Sequence, residues 1–237
     1  MPRAQTLGLL SDLAEDQWGL FTRRQAEATG MAWSTLARLA AEGGPVERVA
    51  HGVYRLRGAP AVEHVDLRAA WLQLAPDVPS WSRAADTGVV SHRSAAAIYN
   101  LGHLAADFHE FTLPVRRQTR RTDVRLHRGW LEPREWTTLQ GLPVTRPARI
   151  AADLLAERED PGAVGYLLAD ALRAGHDHPG DVAASLAPLA ARFRLPGNDG
   201  SALLRWLLEL ADAPETKQWL AEATGQGGIV EGTDATR

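Results

Sequence analysis

The fold is decided by residues 46–56, whose sequence is VERVAHGVYRL. Residues 46–49 and 53–56 are both rich in side chains that favour β-strands. Between them lies the turn Ala50-His51-Gly52, and a three-residue loop that ends in glycine is a good signal for a β-hairpin. The stretch therefore predicts two antiparallel strands joined by a tight turn.

The sequence before this hairpin predicts three helices, over residues 4–16, 23–28 and 33–42. The first and third have apolar residues at helical spacing, and Thr22 offers a side-chain oxygen as the N-cap of the second. Gly43-Gly44-Pro45 then stops the third helix. Three helices followed by a hairpin are the element order of a winged helix-turn-helix, which we place at residues 1–58.

The rest of the chain predicts a second domain of mixed structure over residues 61–225, after a boundary at Gly58-Ala59-Pro60. A small β-sheet with several helices is expected there, so the predicted fold class is α+β. The expected strands lie at about residues 88–90, 109–113, 124–127 and 142–145, and the expected helices at about 62–74, 91–99, 147–156, 164–173 and 202–210. Residues 226–237, rich in Gly, Thr and charge, predict a disordered tail.

Composition and hydropathy favour a cytoplasmic protein. No apolar run approaches the roughly 18 residues that span a bilayer, and the N-terminus lacks the apolar block of a signal peptide. The 237 residues include no cysteine, which excludes disulfides and thiol catalysis and fits a reducing compartment. We therefore expect a cytoplasmic protein with no membrane contact.

The net charge of −3 is unevenly distributed along the chain. Residues 1–58 carry a net charge of +1, residues 59–149 carry +3, and residues 150–237 carry −7. The first 149 residues can approach nucleic acid, whereas the acidic remainder is expected to avoid it or to prefer a basic protein.

The helix-turn-helix predicts binding to double-stranded DNA. The second helix of this motif, here the predicted helix over residues 33–42, lies in the major groove and reads base edges. Ser and Thr can bond bases and phosphates, and one arginine can bind guanine O6 and N7 together. Arginines before this helix and on the hairpin are placed to bind phosphates. The predicted DNA-binding residues are Trp33, Ser34, Thr35 and Arg38 on the helix, Arg23 and Arg24 before it, and Arg48, His51 and Arg55 on or beside the hairpin.

Alternatives stay open at this point. Winged helices also serve as protein-interaction modules, and a net charge of +1 is low for a DNA-binding domain. Trp33 can equally be a core or interface aromatic, and His51 an ordinary turn residue.

A second arginine-rich stretch lies at residues 114–129, which contain six arginines and a single acid, Asp123. The predicted strands on either side place Arg116, Arg117, Arg120 and Arg121 on a connecting loop. Phosphate contacts from this loop would add sequence-independent, salt-sensitive affinity. The alternative is a solvated, mobile loop.

Several motifs resemble one known family. Residues 19–26 (GLFTRRQA) and 48–56 (RVAHGVYRL), with Gly30, Leu36 and Arg38-Leu39 between them, are similar to the N-terminal domain of AbiEi-type antitoxins. Residues 90–96 (VSHRSAA) and 144–154 (VTRPARIAADL) resemble the region that follows it in the family. The resemblance extends over roughly residues 17–175.

This resemblance implies a winged-helix repressor that regulates its own operon in a type IV toxin–antitoxin system. The second domain would support antitoxin action against a nucleotidyltransferase-like toxin, which need not form a stable complex with it. An operator of inverted repeats would suit such a repressor, although the sequence does not give the oligomeric state. Two features depart from the family: Ala32 stands where a Ser cap is common, and the region after residue 195 matches nothing in it.

The sequence predicts neither an enzyme nor a metal or cofactor site. The same N-terminal winged-helix region also occurs fused to endonuclease domains, which need carboxylates to hold a metal and a lysine to activate water. The single lysine, Lys217 in the triplet Glu215-Thr216-Lys217, lacks a partner Asp on a preceding strand. Adjacent Ser91 and His92 are not expected to face each other, and His176-x-His178 has no further ligand near it in the sequence. Two alternative functions remain: a ligand-responsive winged-helix regulator, and a degenerate relative of the endonuclease fusions.

Overall fold

The structure is a computed structural model that describes residues 3–225, with side chains from residue 8 onward. The described residues divide into two compact units. Unit 1 comprises residues 3–90, 108–130 and 140–143, and unit 2 comprises residues 91–107, 131–139 and 144–225. The predicted boundary between residues 58 and 61 is not tested by this division and stays a prediction. The predicted disordered tail, residues 226–237, lies outside the described residues.

The front of unit 1 has the predicted order of three helices and a hairpin, together with one further strand. Strands β1 and β2 both pair antiparallel with β3, in the order β1-β3-β2. Sequence reasoning missed β1, because its three residues are too few to show an alternating pattern. These elements are α1 (Arg3–Glu15), β1 (Leu20–Thr22), α2 (Arg23–Ala28), α3 (Trp33–Leu39), β2 (Val46–Ala50) and β3 (Val53–Leu56).

A continuous apolar core holds these elements together. Phe21 of β1 pairs with Tyr54 of β3, and their stacked rings lie 5.8 Å apart. Leu10 of α1 and Leu36 of α3 are buried in the same cluster, together with Val46 of β2. Because every element except α2 contributes a large apolar side chain, the orientation of α3 is determined by packing.

Helix α2 begins with the predicted Thr22 cap, which the structure extends to a capping box. The backbone N–H of Gln25 donates to Thr22 Oγ1 at 3.1 Å, and the backbone N–H of Thr22 donates to Gln25 Oε1 at 2.9 Å. Both residues are buried. Two amide groups that the first turn leaves without helical partners are thereby satisfied, so this six-residue helix has a defined start.

The remainder of unit 1 contains helix α4 (Val65–Leu74) and the strands β4 (Val89–Val90), β5 (His109–Leu113) and β6 (Val124–Arg128). Strand β4 pairs antiparallel with β5, whereas β5 and β6 run parallel, with His109 opposite Val124. Residues 114–123 connect these two parallel strands. We call this segment the arginine loop.

Two arginines, Arg68, which is buried, and Arg83, which is half-buried, organise unit 1 around α4. Arg68 is 1% exposed, stacks on Trp18 at 4.5 Å, and donates to the carbonyl and side-chain oxygens of Gln140. Arg83 stacks on Trp71 at 4.4 Å and donates to backbone carbonyls at the end of α4. Burial lowers the pKa of each guanidinium to about 10, so both are charged at neutral pH.

Unit 2 is mainly helical. Its core is built by long amphipathic helices, and α7 lies so close to α9 that a Cβ on Gly165 would fall 2.2 Å from the carbonyl oxygen of Leu207. A glycine is therefore required at this approach. The elements are α5 (His92–Tyr99), β7 (Trp136–Leu139), β8 (Leu142–Thr145, shared with unit 1), α6 (Pro147–Ala156), α7 (Pro161–Arg173), α8 (Pro179–Leu186), α9 (Gly200–Leu210) and α10 (Thr216–Ala223).

The predicted fold class is confirmed: a winged helix-turn-helix is followed by a mixed part with a small sheet and several helices. Helix α3 is shorter than predicted, since it ends at Leu39 and not at residue 42. No helix within residues 3–225 is long and apolar enough to cross a membrane.

Candidate nucleic-acid interface

Helix α3 has one face in the core and one in solvent. Leu36 is buried, whereas Ser34 and Arg38 are exposed and Trp33 is 45% exposed. Thr35 is half-buried. Within residues 3–225, the Arg38 guanidinium forms no hydrogen bond or ion pair. The predicted reading face of the helix is therefore open to a partner.

Three separate pieces of the motif meet at Arg23. Its guanidinium lies 4.4 Å from the centre of the Trp33 ring, at the start of α3, and pairs with Glu27 at 2.7 Å. Its backbone N–H donates to the carbonyl of Gly52, in the hairpin turn, at 2.8 Å. We call this arrangement of Arg23, Trp33 and the Gly52 carbonyl the Arg23 junction. It brings together the starts of α2 and α3 and the turn of the β2–β3 hairpin, which we call the wing.

The wing turn presents two further predicted residues. Arg48 and His51 are exposed, and Arg48 Nη2 lies 3.1 Å from His51 Nδ1. Gly52 has a φ of +70°, a conformation that favours glycine, and the strand register shifts between Arg48 and Ala50. Because the Gly52 carbonyl is part of the Arg23 junction, the turn that carries His51 lies next to the start of α2. Arg24 is exposed beside Arg23.

Arg55 is placed differently from the other predicted residues. Its side chain is only 17% exposed, and its guanidinium pairs with Glu47 and donates to the carbonyls of Ala59 and Pro60, both at 2.8 Å. Arg57, which sequence reasoning passed over, is 50% exposed and lies 3.5 Å from the same Glu47. Alternate residues of a strand lie on the same face, so the spacing of two between Arg55 and Arg57 was the available signal that they belong together. A DNA contact by Arg55 remains a prediction.

The four predicted arginines of the arginine loop fall into two pairs. Arg117 donates to the carbonyl of Leu74 at 2.6 Å, and Arg121 binds Asp123 and the side chain of Gln73. The hydrogen bond from Arg121 is the main cause that lowers the pKa of Asp123 to about 2. Arg116 and Arg120 are exposed, as is Arg117, but the guanidinium groups of Arg116 and Arg120 form no hydrogen bond or ion pair within residues 3–225. One pair is thus engaged with α4 and Asp123, and the other is open to solvent.

A comparison with protein families identifies the front of the chain. Residues 9–57 match the family model described as a transcriptional regulator, AbiEi antitoxin. Residues 9–57 are therefore similar to the AbiEi-type regulator domain, and we call this segment the AbiEi-type domain. This segment, about a fifth of the chain, contains the Arg23 junction, α3 and the whole wing. No curated protein matches the chain.

The matched family is described as a transcriptional regulator, so the partner that this similarity implies for the surface is DNA. All predicted contacts from Arg23 to Arg55 lie inside the matched residues, whereas the arginine loop lies outside them. The resemblance of residues 90–96 and 144–154 to the family is not tested by this match and stays a prediction.

Helix α3 of the AbiEi-type domain begins without a side-chain cap. Ala32 occupies the N-cap position with the extended backbone that this position requires, and no side chain serves the free amides of the first turn. We expect Ala32→Ser to raise the free energy of unfolding by about 0.5–1 kcal/mol, measured by urea denaturation. Ala37→Ser, an exposed change inside the same helix, is the matched control and should give no gain. Equal effects at the two positions would contradict the capping explanation.

Two groups that catalysis or metal binding would need are already engaged. Glu215, of the Glu-x-Lys triplet, accepts two hydrogen bonds from Arg173 at 2.9 Å each. His178 caps α8, since its Nδ1 accepts the backbone N–H of Gly180 at 3.1 Å. The prediction that the chain is neither an enzyme nor a metal-binding protein is compatible with these contacts, but it remains a prediction.

The expectation that Ser91 and His92 do not face each other is wrong. Ser91 Oγ lies 2.9 Å from His92 Nδ1, because His92 has a φ of +53° and so departs from helical geometry at the start of α5. Ser91 is nevertheless fully buried.

Proposed function

We propose that this protein is a transcriptional repressor that binds double-stranded DNA at the operator of its own operon. The observation that carries the proposal is the Arg23 junction. It brings the start of α3, the first turn of α2 and the wing turn into contact, which supports the way a winged helix-turn-helix engages a groove and the phosphates beside it.

Each residue of this surface has a chemical part in the proposal. Ser34, Thr35 and Arg38 read base edges in the major groove, and Arg38 can bind a guanine through two hydrogen bonds. Arg23, stacked on Trp33 and paired with Glu27, is held in place to bind a phosphate. Exposed Arg24 on α2, and exposed Arg48 and His51 on the wing, add further phosphate contacts.

The proposal includes antitoxin action in a type IV system. The family of the AbiEi-type domain supports it, and the acidic residues 150–237, with a net charge of −7, are suited to a basic protein partner and not to DNA. The toxin would be a nucleotidyltransferase-like protein, and the operator would consist of inverted repeats bound by two copies. The protein itself would act in the cytoplasm without catalysis or a cofactor.

A reporter gene under the promoter of the protein's own operon tests the proposal. Co-expression of the full chain should lower reporter output, and the double variant Ser34→Ala, Arg38→Ala should restore it at equal protein abundance. Co-expression with the neighbouring toxin gene should relieve growth arrest. If the wild-type chain left reporter output unchanged, the repressor proposal would be overturned. Unrelieved growth arrest would overturn the antitoxin part alone.

One observation favours a ligand-responsive regulator as the second candidate. A cleft of about 380 Å³ lies beside the wing and is lined by polar groups that include His51, Gln73, His109 and Asp123. A small polar molecule bound there would touch the wing turn directly. Native mass spectrometry of the purified chain separates the candidates: a retained small molecule that alters DNA affinity supports ligand response, and unliganded protein with full DNA affinity opposes it.

A further inference from the structure

The arginine loop is held against α4 by two of its arginines. It connects two parallel strands with only ten residues, whereas such crossovers usually need a dozen or more, so the loop has little slack. Arg117 donates to the Leu74 carbonyl, one of those left free at the C-terminal end of α4, where a positive charge is favourable. Arg121 binds Asp123 and Gln73. These contacts define the position of the loop.

Gln73 joins the arginine loop to the wing. Its side-chain amide donates to the carbonyl of His51, in the wing turn, at 2.5 Å, and its Oε1 accepts from Arg121 at 2.6 Å. The wing and the loop are therefore separated by a single glutamine side chain. Since the wing turn also belongs to the Arg23 junction, contacts run without a break from α3 to the loop.

The outer side of the loop carries uncompensated positive charge. Arg116 and Arg120 are exposed, as is Arg128 at the end of β6, and none of their guanidinium groups has a hydrogen bond or ion pair within residues 3–225. The single acid of the segment, Asp123, is already bound by Arg121. Burial, followed by the charge of Arg121, lowers the pKa of neighbouring His109, which therefore adds no positive charge at neutral pH.

We propose that the arginine loop is a second DNA-contacting element, in which Arg116 and Arg120 bind phosphates of the duplex beyond those bound by the wing. Arg117 and Arg121, which the sequence placed among the contacts, instead anchor the loop. This inference rests on the proposed function. A duplex is the occupant that fits, because it offers a regular row of phosphates to unpaired guanidinium groups, and Gln73 joins the loop that carries them to the wing turn.

The salt dependence of DNA binding tests this proposal with three paired variants. They are Arg116→Gln with Arg120→Gln, the charge-preserving Arg116→Lys with Arg120→Lys, and the control Arg194→Gln with Arg205→Gln, two exposed arginines of unit 2. Fluorescence anisotropy with a random-sequence duplex of about 30 base pairs, roughly three helical turns, gives the affinity at a series of salt concentrations.

We expect the glutamine pair to reduce the slope of log K against log salt by about 1.8, since each phosphate contact contributes about 0.9. The lysine pair and the control should keep the wild-type slope. A wild-type slope for the glutamine pair would overturn this inference and leave the proposed function intact. The same slope is expected if an acidic protein is the true occupant of the loop. Absence of DNA binding by the wild-type chain would overturn both.

Discussion

Arg38→Ala is expected to weaken binding to the promoter of the protein's own operon by about 5- to 150-fold, the equivalent of about 1–3 kcal/mol. Arg38 is exposed on α3, and its guanidinium has no partner within residues 3–225, so its loss leaves the fold unchanged. What is lost is a hydrogen-bonding pair that distinguishes guanine from the other bases. Random-sequence DNA offers no matched guanine, so binding to it should fall much less.

Arg38→Lys is the matched control, because lysine keeps the charge but lacks the planar pair of donors. It should lose most of the preference for the promoter and keep the wild-type dependence on salt. Anisotropy with promoter and random duplexes measures both quantities. Equal losses on the two duplexes for Arg38→Ala would show that Arg38 touches only phosphate, contrary to the account given for α3.

Arg83→Ala is expected to lower the free energy of unfolding by about 3 kcal/mol or more. The Arg83 guanidinium donates to four backbone carbonyls, of which those of Trp71 and Leu72 lie in the last turn of α4 and have no helical partner. Removing the donors leaves partly buried acceptors unsatisfied, at about 1–3 kcal/mol each where water cannot replace them. The stacking of the guanidinium on Trp71 is lost as well.

Arg83→Lys keeps the charge but cannot reach several carbonyls at once, so its loss of stability should fall between those of the wild type and Arg83→Ala. Arg205→Ala, at an exposed position, should change stability by less than about 0.5 kcal/mol. Urea denaturation followed by circular dichroism measures all three. If Arg83→Ala unfolded at the same urea concentration as Arg205→Ala, the structural role of Arg83 would be refuted.

Local signals were sufficient to predict much of the fold. Helices α2 and α6 and strand β5 have the predicted bounds. The helices could be placed because Thr22 caps α2 and Pro147 opens α6. Strand β1 was missed because its pairing with β3 depends on contacts between segments far apart in the sequence. The end of α3 was placed three residues too late, since Ala40 and Ala41 are compatible with a helix but leave it.

The candidate site shows a different limit. The sequence identified the arginines but could not separate Arg48 and Arg116 from Arg55 and Arg121. An arginine side chain is long enough to reach either solvent or a backbone carbonyl several residues away, and only the tertiary structure determines which acceptor lies within its reach. The role of Gln73 was invisible for the same reason, because both of its partners are distant in sequence.

The proposed insertion of α3 into DNA can be tested directly, because the chain has no cysteine and a single introduced one can be labelled selectively. Ala37→Cys on the exposed face of α3 would carry an iron chelate that cleaves nearby DNA, and Ala174→Cys, exposed in unit 2, would be the control. The account predicts cleavage of the promoter at a few positions from residue 37 and little from residue 174. Equal cleavage from both positions, or none from residue 37 while the labelled protein remains bound, would contradict it.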